Sequence, residues 1–341
     1  MRKLKIEMVY IAGCESFDNL AARLPRFMTT STAQSACTRP SAASHQAPLR
    51  WNALCMRLEA NWVALARPEG IAPVHIREVQ RIRDPLCSGW PAAATFDAMT
   101  YELHYWPTIQ GRGEFVRLAL EAAGAPYLDV ARADPDESLG VAALLRRQSD
   151  PAQPQPPFAP PFLRDGKLLI GQTAAILHHL GPALKLVGRS EQVRVWTQQI
   201  QLTLGDLVDE AHNTHHPVAS SLPYEDQRPE ALRRARHFCS ERIPKFMSWF
   251  ETILARNPAG PRHLVGGRLS YADLSLLQVI EGLRYAFPNA TRRALQDLPL
   301  LLQLQVRVAA LPRIAAYLRS RRRLPFNEQG IFRRYPELDF D

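Results

Sequence analysis

Gln172 and Thr173 stand where a helical pattern begins, in the stretch PPFAPPFLRDGKLLIGQTAAILHHL that runs from residue 156 to residue 180. A helix start has unsatisfied backbone N–H groups and partial positive charge, which suits a carboxylate. Gln172 can add an amide hydrogen there, and Thr173 a hydroxyl and its own N–H. Just upstream lie Pro156, Pro157, Pro160 and Pro161. Proline fixes φ and has no N–H to give, so these residues form a stiff edge on which Pro160 can offer only its carbonyl.

A second cluster is Tyr105-Trp106-Pro107, at the end of a strand pattern, followed by Gly111-Arg112-Gly113-Glu114 at the next helix start. A phenol that can donate, a guanidinium and a helix N-terminus all favour the charged form of an anion placed between them. Thr108 is a second hydroxyl in the same loop. Further along, Ser270-Tyr271-Ala272-Asp273 has the Ser-x-x-Asp spacing of a helix-capping box, with Leu269 as the apolar residue ahead of it. We read this box as structural. Asp206, Asp209 and Glu210 follow one another on a long helical pattern that ends at His212, His215 and His216. The histidines lack further Cys or carboxylate partners in a rigid frame, so no metal site is expected.

The elements that must position these groups come in two kinds. TYELHYW alternates as a strand does, GRGEFVRLALEAAGA has one apolar helical face closed by Gly124, and PYLDVA is a second short strand. A short helix is expected around Val141–Arg147. Then PFL and KLLI, joined through Asp165-Gly166, form a hairpin, and QTAAILHHLG a helix. The order is β-α-β-(α)-β-β-α. After about Lys185 strand patterns stop. VRVWTQQIQLTLGDLVDEAHN, PEALRRARHFCSERIPKFMSWFETILAR, SYADLSLLQVIEGLRYAF and LPLLLQLQVRVAAL all carry helical spacing. The expected fold class is therefore α/β plus all-α, with domains at 99–184 and 188–341. Residues 1–98 carry little periodicity and runs such as TTSTAQSACTRPSAASHQAP, and are expected to be a disordered extension or no part of the natural protein, with Met99 as the natural start.

Bulk composition narrows the classes. Apolar residues make up 46% of the 341, enough for a sizeable core, and no 18-residue apolar run exists, so no membrane span is expected. The net charge of +9 could indicate nucleic acid, but arginine far outnumbers lysine, which reads as compositional bias. The sharpest basic run, Arg319 to Arg323, is expected to complement a helix dipole or to be a solvated end. Of the five cysteines, Cys14, Cys37, Cys55, Cys87 and Cys239, none forms a CxxC pair. A reducing, cytoplasmic compartment is the default.

Taken together, these motifs make residues 99–341 resemble the cytosolic glutathione transferases, in particular the tyrosine-using alpha, mu, pi and sigma-like groups. The resemblance implies a thioredoxin-like domain that binds glutathione, followed by a helical-bundle domain. It implies Tyr105 as the residue that holds the glutathione thiolate and Arg112 as a cation near the sulfur, with Thr108 as the alternative activator. It implies that Trp106, Pro160, Pro161, Gln172 and Thr173 bind glutathione. The family's cis-proline falls on Pro161 by its spacing to Asp165-Gly166, or on Pro160 if the register differs by one. An acidic residue reaching across a homodimer to the glutathione amino group falls on Glu210, or on Asp209. The implied reaction is attack of the thiolate on a small apolar electrophile, with glutathione as co-substrate and no metal or other cofactor, in detoxification. The alternatives are a non-catalytic glutathione-binding or carrier protein of the same fold, and a glutathione-dependent isomerase or peroxidase.

Overall fold

The computed structural model describes residues 101–135 and 138–340. The expectations for residues 1–98, including four of the cysteines, lie outside the described residues. The chain enters on β1 (Tyr101–His104), which continues through a loop into α1 (Gly113–Ala123). Gly124, at φ 65, ends that helix in the left-handed conformation. β2 (Tyr127–Asp129) pairs parallel to β1. After α2 (Gly140–Gln148) come β3 (Phe162–Asp165) and β4 (Leu168–Gly171), an antiparallel hairpin turned at Gly166 with φ 57. The sheet order is β2-β1-β3-β4, with β1 antiparallel to β3. This mixed sheet has α1 and α3 (Thr173–Ala183) on one face, where Leu103, Val116, Leu120, Leu163, Ile176 and Leu180 are buried together. The opposite face carries α2, whose Leu144 is buried together with Phe162 of β3.

From Glu191 onward the regular elements among the described residues are helices, as the 3.6-residue spacing leads one to expect. α4 (Glu191–His212) is capped by Ser190, whose hydroxyl accepts from the Val193 amide. The next helical pattern is broken in a way that spacing does not show. α5 (Arg228–His237) passes into a π turn (Phe238–Arg242) before α6 (Ile243–Arg256). Pro244 lies at the start of α6; it has no N–H to carry a regular ladder backwards, so the wider turn falls just ahead of it. α7 (Tyr271–Ala286) is the central helix, buried along nearly its whole length. Its capping box is complete: Ser270 Oγ accepts from the Asp273 amide, and Asp273 Oδ2 accepts from the Ser270 amide at 2.7 Å. The other Asp273 oxygen takes the Leu264 amide at 2.8 Å, so this carboxylate fixes both the helix start and the loop before it. α8 (Pro288–Leu295), α9 (Pro299–Ala309) and α10 (Pro312–Leu318) complete the bundle. Helices α8, α9 and α10 all begin at proline, where a missing N–H does no harm.

The sheet and the bundle meet through polar groups as well as apolar ones. Glu114, in the first turn of α1, is fully buried. It accepts from Tyr317 Oη at 2.6 Å, Arg323 Nη1 at 2.6 Å and Arg117 Nη1 at 3.3 Å. Arg117, also fully buried, donates through Nε to Asp129 at 2.7 Å. Burial opposes its charge, but the Asp129 and Glu114 carboxylates outweigh this and hold the guanidinium protonated. Arg323 donates its second nitrogen to Gln278 on α7 at 2.8 Å, and Arg322 donates to Glu121 at 2.5 Å. α10 stops at Leu318, and beyond it Arg322 and Arg323 turn back to meet the carboxylates of α1, so these two are neither a solvated end nor a dipole complement, while Arg319 and Arg321 are exposed as a solvated end would be.

Arg323→Met should lower unfolding free energy by about 3 kcal/mol, because it strips a charge partner from a buried carboxylate. Arg319, outside this network, is the control: Arg319→Met should change stability by less than about 0.5 kcal/mol. Urea unfolding followed by circular dichroism reads both; equal effects would remove Arg323 from the network.

Candidate functional site

The loop between β1 and α1 wraps Tyr105 in backbone. A Cβ added to Gly111 would lie 1.9 Å from the Tyr105 hydroxyl, and one added to Gly113 would lie 2.5 Å from the ring. Gly111 also has φ 44, which disfavours any side chain. Tyr105 is 4% exposed, and its hydroxyl accepts from the Arg112 amide at 2.9 Å. A phenol oxygen that accepts from an amide still carries a donor hydrogen. The Arg117 guanidinium sits 5.7 Å from the ring centroid.

The loop is also tied down from the C-terminal side. Gln110 takes the Gln278 amide at 2.7 Å and donates to the Leu324 carbonyl at 2.5 Å. Asn327 donates to the Thr108 carbonyl at 2.9 Å. Thr108 itself is exposed. Sequence reasoning missed Gln110, Gln278 and Asn327, because nothing in one sequence pairs residues so far apart.

Two helix starts converge here. Thr173 does not cap its own helix; its hydroxyl donates to the Arg112 carbonyl at 3.3 Å and so joins the beginning of α3 to that of α1. Gln172 is the cap position of α3 and makes no side-chain cap bond. It is exposed and has φ 63, ψ 118, a conformation that costs a non-glycine residue of order 1–3 kcal/mol. The Pro160–Pro161 peptide is cis. Pro161 is buried beside β3, while the half-buried Pro160 presents a carbonyl and no N–H. Trp106 is half-buried against the cluster of Ala131, Leu144 and Phe162.

The structure divides the acidic and basic candidates into pairs. Arg112 reaches over to Asp209 on α4 and forms a hydrogen-bonded ion pair with it, partly exposed on both sides. Glu210 points elsewhere and accepts the fork of Arg242, at 2.8 and 2.7 Å. His212, His215 and His216 pack together with ring centroids 4.8 to 5.6 Å apart; His212 and His216 are stacked, and His215 meets both edge-on. His215 Nε2 lies 2.9 Å from the Ile331 carbonyl and donates to it, which anchors the chain's last segment to the end of α4. Burial pushes the His216 imidazole down to about 4 and His215 to about 2, with the Arg333 charge acting in the same direction, so both are neutral at pH 7. Cys239 is buried against the Leu338 carbonyl, and burial pushes its thiol up to about 12, which makes it unreactive.

The assembled site offers a phenol, two adjoining helix starts, a strained exposed glutamine and a proline carbonyl. Together these can hold a peptide-like ligand with a carboxylate at one end and an acidic group at the Tyr105 hydroxyl. Among the described residues no helix is long and apolar enough to cross a membrane.

The chain is similar to known proteins of one family. The family described as glutathione S-transferase, C-terminal domain, matches residues 212–321. Glutathione S-transferase A4 of Bos taurus is 30% identical over 217 residues, which cover 64% of this chain and 87% of the relative. Glutathione S-transferase P of Bos taurus is 26% identical over 233 residues, 67% of this chain and 98% of the relative. Among solved structures, the Pi-class glutathione S-transferase of Onchocerca volvulus superposes with a TM-score of 0.52 at 23% identity, covering 68% of this chain and 99% of its own, a likeness of fold. With one relative 30% identical across most of its length, and a mixed sheet followed by a helical bundle, the chain belongs to the glutathione S-transferase family.

Proposed function

We propose that the protein is a glutathione transferase that adds the glutathione thiolate to a small apolar electrophile. The observation that carries this reading is the junction of Tyr105, Arg112 and Thr173, in which two hydroxyls and two helix starts are joined by two hydrogen bonds to the Arg112 backbone. In this reading Tyr105 donates its hydroxyl hydrogen to the sulfur. That bond is stronger to a thiolate than to a thiol, so it lowers the thiol's pKa from its ordinary value near 8.5 and raises the fraction of nucleophile at neutral pH. The α3 start, with Gln172 and Thr173, takes the γ-glutamyl carboxylate, and the Pro160 carbonyl takes the cysteinyl N–H. The missing N–H of Pro160 leaves one backbone hydrogen bond unmade, worth about 1 kcal/mol. Trp106 flanks the ligand from the loop.

Arg112 enters the mechanism through competition. Its guanidinium is engaged by Asp209, and a thiolate at Tyr105 competes with that carboxylate for the same charge. The electrophile fits between the Tyr105 loop and the C-terminal end of α4, near His212 and His216. Glu210, held by Arg242, contacts the glutathione amino group only if that fork opens when the ligand arrives.

The chain is proposed to act in the cytoplasm as a homodimer. Val195 and Leu202 are seven apart on α4 and more than half exposed, and Phe158, on the loop before β3, is 82% exposed. In this reading these exposed apolar groups belong to the dimer contact, where a contiguous apolar patch would lie. Phe158→Ser should convert a dimer to a monomer by analytical ultracentrifugation; a wild-type protein that sediments as a monomer would rule the dimer out.

Two further outcomes test the site. Tyr105→Phe should lower turnover with a generic aryl halide at pH 6.5 by about 100-fold, the low end of what a positioned proton donor contributes. It should also move the rise in the pH–rate profile upward, because the thiolate loses its donor. Asp209→Asn releases Arg112 and should move the same profile to lower pH, because a nearer cation favours the thiolate. Retention on glutathione-agarose without turnover in the wild type would point instead to a non-catalytic binding protein. Gln172→Gly relieves the backbone at φ 63 and should raise unfolding free energy by about 1 kcal/mol while weakening retention on glutathione-agarose. A variant that is stabilised and retained as well as wild type would take Gln172 out of the ligand site.

A further inference from the structure

α9 carries more apolar surface than the bundle uses. Leu301, Leu304 and Val308 face inward and are buried. Leu302, Val306 and Ala309, spaced by four and then three residues, form a second apolar stripe on another side of the same helix. Leu302 and Ala309 are half-buried at the edge of the core, and Val306 between them is 70% exposed. One stripe is enough to hold a surface helix to its core, so the second is free for another task.

Two clefts follow this stripe. The first, of about 550 Å³, lies between α9 and α8, where Leu302 faces Pro288 and Leu295. The second, of about 500 Å³, lies between α9 and α10, with Val306 and Ala309 across from Ala315. Both are lined by Arg284 and Leu302, so they form one continuous groove.

The groove is basic. Arg292 lines one half, Arg319 the other, and Arg284 both, and no carboxylate is among the described residues that line it. Arg284 donates to Gln305 Oε1 at 3.0 Å and Arg292 to Asn289 Oδ1 at 3.2 Å, so each has a neutral amide as its partner. Arg319 is exposed at the end of α10. Two carboxylates stand outside the lining. Glu281, one turn before Arg284 on α7, is bonded by the Gln305 amide, and Asp297 is exposed after the end of α8. Three guanidiniums against these two still leave a positive charge in excess.

We propose that this groove is a docking site for an acidic amphipathic helix of a partner protein. The partner's apolar residues at i, i+4 and i+7 lie along Leu302, Val306 and Ala309 and enter the two clefts. Its carboxylates, on both flanks of that stripe, pair with Arg284, Arg292 and Arg319 and give each guanidinium a charged partner. The seven-residue spacing from Leu302 to Ala309 spans about 10 Å, or two turns of the incoming helix. An anionic lipid surface has the same charge, but it takes apolar groups that protrude, and most of these line clefts.

The probe is a fluorescein-labelled peptide of leucine, alanine and glutamate, about 18 residues long, with leucines at i, i+4, i+7 and i+11 and glutamates on both flanks. Its anisotropy is followed at low salt as full-length protein is added. Binding should saturate with a Kd of about 1–100 μM, as a small transient contact gives. The same peptide with lysine for glutamate should bind at least about tenfold more weakly, because each attraction becomes a repulsion. Arg292→Gln combined with Arg319→Gln should weaken the acidic peptide about tenfold, through two rim pairs. Val306→Asp should weaken it at least about tenfold, since it removes the central apolar contact and adds like charge. All three positions are exposed, so both variants should keep the wild-type circular dichroism spectrum. The proposal is overturned if the acidic peptide does not bind at about millimolar protein, if the lysine peptide binds as tightly, or if Val306→Asp binds as wild type does. Two further results would overturn it by naming another occupant. Binding to phosphatidylserine vesicles that Val306→Asp abolishes, with no binding of the peptide, assigns the groove to a membrane. Concentration-dependent sedimentation that Val306→Asp abolishes, again with no binding of the peptide, assigns it to a second copy of the chain.

Discussion

A carboxylate with no access to water sets the geometry of this molecule. Glu114 is on the first turn of α1, where the helix dipole favours negative charge, but it is sealed under the bundle and must find its hydrogen bonds in protein. It finds them on α10, in the segment after α10, and one turn along its own helix. Each donor fixes something else. Tyr317 fixes α10 against α1. Arg323 fixes α7 through Gln278, and Gln278 fixes the Tyr105 loop through Gln110. The Tyr105 loop is therefore held by a chain of polar contacts that starts at the far end of the sequence. A purely apolar contact would let α1 slide; charge-assisted bonds at 2.6 Å do not.

Local features of the fold were legible, and long-range ones were not. The alternation in TYELHYW, the Asp165-Gly166 turn and the Ser270–Asp273 box each encode their structure within a few residues, and each forms as read. The π turn at Phe238–Arg242 was hidden, because its apolar spacing differs too little from an ordinary helix. α8 was missed for a different reason: NATRRAL is short and mostly polar, and it is held by burial of Ala290 and Leu295 rather than by any strong pattern. Arg322 and Arg323 were misread because a charge run looks alike whether it meets water or a buried carboxylate.

The candidate site shows the same division. Residue types placed Tyr105, Gln172 and Thr173 at strand and helix ends, since those positions are set locally. What Thr173 bonds, and which acid takes Arg112, depend on how the two helix starts face one another across β1, β3 and β4.

Gly111 and Gly113 hold the Tyr105 ring by the absence of side chains, so the phenol rests on main chain. Its position is then indifferent to most side-chain changes in the surrounding cleft. This gives the scaffold a practical property. Side chains around the Tyr105 loop can be randomised without moving its hydroxyl, provided a library leaves positions 111 and 113 alone.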